Sequence, residues 1–112
     1  MTLNANAISI SDVIETAVNS LIARFNPLKI IHFGSHARGE AAPDSDLDFL
    51  IVMPNGIDRR GMAIEMHRHL RDLAMPKDIL VTTPEEIARR GDMVGTVLRT
   101  ALREGKILYE QK

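Results

Sequence analysis

The sequence predicts an α+β (α/β) domain: a small mixed β-sheet with helices packed on it. Three observations carry this. Runs rich in Ile, Leu, Val and Phe at 28–33, 47–52 and 79–82 have strand length and strand composition. Segments with apolar residues at helical spacing separate most of these runs. The length of 112 residues fits one domain, 1–112, and a 45% hydrophobic content is enough to build its core.

Residues 1–10 read as a flexible arm. From Ser11 the pattern turns helical, with Ile14, Ala17/Val18, Leu21 and Phe25 on one stripe, Ser11 or Asp12 as cap and Pro27 as terminator. Leu28–Phe33 follows as a strand ending at Gly34. Residues 34–45 hold two glycines and a proline, and predict a loop with at most a short helix inside. Leu47–Val52 is apolar on both faces, which predicts a central strand covered on both sides. Pro54-Asn55-Gly56 turns the chain into a helix over 58–75, striped by Met62, Met66, Leu70 and Leu73 and stopped by Pro76. Ile79–Thr82 is the third strand. Thr83-Pro84-Glu85-Glu86 is a helix start: a cap, a proline at the first position and a glutamate three residues after the threonine. Gly91 ends that helix. Val94, Val97/Leu98 and Ala101/Leu102 mark a last helix closed by Gly105, and Ile107–Tyr109 predicts an edge strand.

Composition excludes several functions. A net charge of -1 with interleaved acids and bases argues against direct nucleic-acid binding. With no cysteine there is neither a disulfide nor a thiolate zinc site. No apolar stretch reaches the roughly 20 residues of a membrane span. Met1-Thr2-Leu3-Asn4 lacks the basic and apolar blocks of a signal peptide, so a cytoplasmic protein is expected.

The chemistry concentrates around the second strand. Residues i and i+2 of a strand share a face, so Asp46 and Asp48 project together while Leu47 turns into the core with Phe49 and Ile51. Two carboxylates about 4 Å apart at an effective dielectric near 20 repel by roughly 4 kcal/mol. A divalent cation removes that repulsion, and oxygen ligands without Cys or paired His suit Mg²⁺ or Mn²⁺. Taken alone, an Asp-x-Asp reads equally as a turn and a surface charge. Asp78 heads the third strand and can join Asp48 if the two strands are neighbours. Otherwise it is a strand-start acid paired with Lys77 or a helix N-terminus. Three carboxylates on adjacent strands can hold two metal ions about 3.5–4 Å apart. Before them, Gly34 allows close backbone approach, Ser35 offers a hydroxyl and an N–H, and Arg38 can fork onto phosphate oxygens. The alternative is a glycine turn with a solvated arginine. Neither a P-loop nor a dinucleotide fingerprint is present.

The ordered combination strand, Gly34-Ser35, Asp46-x-Asp48, strand, helix, Asp78 and strand resembles the DNA polymerase beta-like nucleotidyltransferase superfamily. It is most similar to the minimal nucleotidyltransferases (MNT), small proteins that often serve as antitoxins of HEPN-type toxins. The resemblance spans roughly residues 28–87 and implies a nucleotidyltransferase-like fold. It also implies that Gly34, Ser35 and Arg38 bind the nucleotide phosphates, and that Asp46, Asp48 and Asp78 are the catalytic, metal-binding acids. The implied reaction moves AMP from ATP, with two Mg²⁺ ions, to a hydroxyl, the acceptor being a tyrosine of a partner HEPN toxin in a hetero-oligomer. A non-catalytic antitoxin acting by masking, and transfer to a small molecule, are the competing readings.

Other residues carry blander expectations. His67 and His69 sit two apart and do not share a helical face, so both are expected on a solvated surface. His32 is expected to pack, and His36 either fills the loop or touches nucleotide. The methionines of the 58–75 helix read as core. Arg89-Arg90 and Arg99/Arg103 read as solvated pairs, the latter also able to meet an acidic partner.

Overall fold

The computed structural model describes residues 9–40, 45–73 and 75–112. Its elements are α1 (Ile10–Phe25), β1 (Lys29–Phe33), α2 (Gly34–Arg38), β2 (Leu47–Val52), α3 (Arg59–His69), β3 (Lys77–Thr82), α4 (Pro84–Arg90), α5 (Val97–Glu104) and β4 (Lys106–Glu110). The strands form one sheet in the order β3-β2-β1-β4. β2 and β3 are parallel, while β1 is antiparallel to both β2 and β4, so the sheet is mixed.

Side chains alternate between two cores. Ile30, Leu47, Phe49, Ile51, Ile79 and Val81 pack with Val13, Ala17, Val18 and Leu21 of α1 and Met66 of α3. Ile31, Phe33 and Leu50 pack with Leu98 and Ala101 of α5, with Leu80 and Ile87 at the rim. β2 is thus buried on both faces, which is why it reads as a continuous apolar run.

Several element ends differ from the sequence expectation. Ser9, rather than Ser11 or Asp12, caps α1: its side chain accepts the Asp12 amide at 3.0 Å. Ile10 therefore belongs to the helix, while most of the expected arm lies outside the described residues. Asn26, left-handed at φ 51, closes α1 ahead of Pro27. The helix expected over 58–75 stops at His69, because Leu70 leaves helical geometry and a turn carries the chain to β3. Leu70 is buried in that turn, and Leu73 and Met75 still pack on the core. Val94 is 80% exposed and precedes α5, whose cap is Thr96. His69 is not merely solvated: its Nε2 lies 2.7 Å from Ser20 Oγ, and its ring meets Phe25 edge-on at 5.5 Å, tying α3 to α1. Arg99 and Arg103 both pair with Asp92, at 3.3 and 3.6 Å.

The start of α4 differs in one contact. Thr83 caps it and Pro84 occupies the first position, as the sequence predicts. The Glu86 carboxylate, however, does not return to the cap. It accepts the Thr82 hydroxyl at 2.6 Å and pairs with Arg59 from α3.

Candidate active site

Register decides what lies beside Asp48. Asp48 stands opposite Phe33, the last residue of β1, and opposite Asp78 on β3. Paired residues of neighbouring strands share a face, so Asp48 and Asp78 project together on the α5 side, with Leu50 and Leu80 further along. Asp46 lies two residues before Asp48, just outside β2. The expected neighbourhood of β2 and β3 is therefore present, and it joins two acids that are 30 positions apart in the chain.

The chain passes from Phe33 directly into Gly34 and α2, so the glycine-serine turn opens beside Asp48. Gly34 has φ +82, and a Cβ built on it would overlap Asp48 Oδ2. Glycine is required twice here, by backbone conformation and by contact. Ser35 is half-buried, and among the described residues its hydroxyl makes no hydrogen bond, while its carbonyl accepts the Glu40 amide at 2.9 Å. Arg38 is exposed, with Nε 3.6 Å from Glu40. His36 Nε2 lies 2.9 Å from the Ser45 carbonyl, linking α2 to the chain that enters β2. Residue type alone does not reveal this role, because the bond spans nine positions across a loop.

The electrostatics follow from this placement. Burial pushes the Asp48 carboxyl above its ordinary range. Asp78 and Asp46 push the same way, while His36 and Arg38 draw it back. The acids therefore repel one another across a half-buried strand end, with His36 and Arg38 partly compensating. Among the described residues no three acid or histidine side chains form a preassembled metal cage. The donor set is all oxygen, it faces one side of two adjacent strands, and its central acid is destabilised as an anion. These properties fit Mg²⁺ or Mn²⁺.

His32, on the opposite face, is buried and packs on Phe49 with ring centroids 5.6 Å apart, as expected for a packing residue. Among the described residues its Nε2 is buried without a hydrogen-bond partner, and burial, followed by His36 and Lys106, holds its pKa below the ordinary value.

Comparison with known proteins agrees with this architecture. No curated protein matches the chain. Among solved structures, a candidate nucleotidyltransferase from Sulfolobus solfataricus is 20% identical, covers 88% of this chain and 78% of its own, and superposes with a TM-score of 0.62. A mutant of the toxin–antitoxin pair MntA-HpeT is 18% identical over 98% of this chain and 76% of its own, with a TM-score of 0.45. The agreement in fold rests on the first of these. The model of the nucleotidyltransferase domain matches residues 14–109, from the first helix through β4, and so takes in the glycine-serine turn and all three acids. By that match the chain belongs to the nucleotidyltransferase domain family.

Proposed function

We propose that this protein transfers AMP from Mg-ATP to a hydroxyl group, that the acceptor is a tyrosine of a HEPN-type toxin, and that the transfer makes this chain an antitoxin. The observation that carries the reading is the register pair Asp48–Asp78 with Gly34 pressed against Asp48. It sets the glycine-serine turn directly beside the paired acids. Gly34 and Ser35 receive the phosphates through backbone and hydroxyl, and Arg38 turns from Glu40 onto a phosphate oxygen. Asp46, Asp48 and Asp78 are the residues that would hold Mg²⁺, two ions in the full site, which supply charge neutralisation at the phosphates when bound. Asp78 lies on the acceptor side, where it receives or directs the hydroxyl proton. The hydroxyl oxygen bonds to the α-phosphorus, the bond from that phosphorus to the bridging oxygen breaks, and pyrophosphate leaves with its electron pair. Positioning and electrostatics account for most of the rate.

The test is mass spectrometry of the protein encoded next to this gene after incubation with this chain and Mg-ATP. A gain of one or more AMP groups is expected, and it is lost in the Asp46→Asn/Asp48→Asn variant. A complex that forms without any mass gain, with neutralisation intact in that variant, would assign masking instead of transfer. Drug resistance in cells carrying this chain alone would assign a small-molecule acceptor.

A further inference from the structure

We propose that His36 is the positioning residue for Asp46: its ring fixes the direction in which that carboxylate leaves the backbone. This role rests on the proposed reading of Asp46, Asp48 and Asp78 as metal ligands. Asp48 and Asp78 are set by the ladder between β2 and β3. Asp46 is the acid of the three that lies outside a strand. Among the described residues it has no ladder partner, and it is exposed, so neither strand pairing nor burial aims its side chain.

The peptide planes on either side of Asp46 do so instead. A trans peptide is a rigid plane, so a residue whose two flanking planes are both held has its φ, its ψ and its Cα–Cβ direction set. The plane after Asp46 is held by Leu47 N–H, which donates to the Pro76 carbonyl at 3.0 Å, just ahead of β3. The plane before it is held by the Ser45 carbonyl, which accepts from His36 Nε2 at 2.9 Å. A carbonyl oxygen only accepts, so Nε2 carries the proton in this bond.

His36 is itself a fixed point. It stands in α2, whose first residue, Gly34, is pressed against Asp48 and whose Ala37 is buried. At the far end of α2 the Gly39 amide donates to the His36 carbonyl at 3.2 Å and the Glu40 amide to the Ser35 carbonyl at 2.9 Å. One short helix thus touches both ends of the Asp46-x-Asp48 stretch: Gly34 at Asp48, and His36 at the residue before Asp46. The ring also lies near enough to Asp48 to draw its carboxyl back toward the ordinary range. Removing a group that orients a metal ligand typically costs about 10–100-fold in metal affinity.

The test reads metal binding rather than transfer. Two variants separate the hydrogen bond from the charge of the ring. His36→Phe keeps a planar ring and removes the donor, while His36→Gln carries no charge but keeps an N–H donor at about the reach of Nε2. Calorimetric titration of the full chain with Mn²⁺, in the presence of a non-hydrolysable ATP analogue, is expected to show affinity about 10-fold lower in His36→Phe and mostly recovered in His36→Gln. Both variants are expected to melt close to the wild type in EDTA. Proton–nitrogen correlation spectra of the wild type at alkaline pH are expected to show His36 as the Nε2–H tautomer. Unchanged Mn²⁺ affinity in His36→Phe would overturn the proposal. So would a His36→Gln variant that binds no better than His36→Phe, or a wild-type ring in the Nδ1–H form. A wild-type chain that takes up no Mn²⁺ would overturn it together with the metal reading. Mn²⁺ binding that depends on the His36 donor, without AMP transfer to any acceptor, would uphold it and reject the transfer alone.

Discussion

Asp48 and His32 show how the same sheet perturbs two titrating side chains with opposite consequences. The Asp48 pKa is raised by burial, then by Asp78 and Asp46. The native state then holds its proton more tightly than the unfolded chain, so stability falls as pH rises from the ordinary value of 3.8 through the raised one. At neutral pH the charge is a net cost, and Asp48→Asn is expected to raise the melting temperature in EDTA. Adding Mg²⁺ is expected to stabilise the wild type and not the variant, as thermal denaturation with and without the metal will show. His32 runs the other way. Its pKa is lowered, so the unfolded chain binds the proton first and stability falls as pH drops below 6.5 through the folded value. His32→Leu is expected to flatten that acid limb of the curve, measured by urea denaturation across pH. Sequence reasoning proposed Asp48 as a metal ligand and read His32 as a packing residue, and the ring of His32 does pack on Phe49. It could not supply the orphaned Nε2, which depends on what surrounds the ring.

Two junctions between elements carry contacts that can be tested, one at the candidate site and one at the far end of β3. The first is β1 to α2. Gly34→Ala forces a side chain into the left-handed region at about 1–2 kcal/mol and drives its methyl into Asp48. The expected result is a modest loss of stability in urea, with a far larger loss of Mn²⁺ binding and of nucleotidyl transfer. The second is the contact of α3 with α4, where Glu86 joins Thr82 and Arg59. Arg59 is half-exposed, so solvent screens part of the pair. Arg59→Ala is expected to cost about 1–2 kcal/mol by leaving the buried Glu86 carboxylate with Thr82 alone. Adding Glu86→Gln in that background is expected to recover part of the loss, which a double-mutant cycle in urea measures. The sequence motif at 83–86 announced the helix start correctly but held no sign of Glu86's partners, Thr82 and Arg59. Capping-box spacing is local, whereas Arg59 reaches Glu86 across 27 positions. For the same reason the end of α3 was misread: its apolar stripe continues into Leu70 and Leu73 after the backbone has already turned.

At the scale of the molecule, the sheet is completed from its far end. β4 pairs with β1, Gln111 N–H donates to Leu28 at 2.8 Å, and Lys29 pairs with Glu110 at 3.2 Å. Deleting residues 106–112 turns β1, the strand that leads into Gly34, into an exposed edge. The truncated chain is expected to lose its cooperative thermal transition by circular dichroism and to aggregate, although every acid of the site is retained. What the sequence by itself determined is the set of elements and the short motifs from which the candidate site is built. Periodicity, caps and glycine-proline punctuation are local, and Gly34-Ser35, Asp46-x-Asp48 and Asp78 each stand in short stretches that can be read directly. Only the tertiary structure decided that β3 lies parallel beside β2, which makes Asp78 the neighbour of Asp48 rather than a strand-start acid. It alone decided that Gly34 closes on Asp48 and that His36 holds the carbonyl of Ser45. These are consequences of register and long-range pairing, which arise from burying two apolar faces at once and leave no trace in any local run of residues.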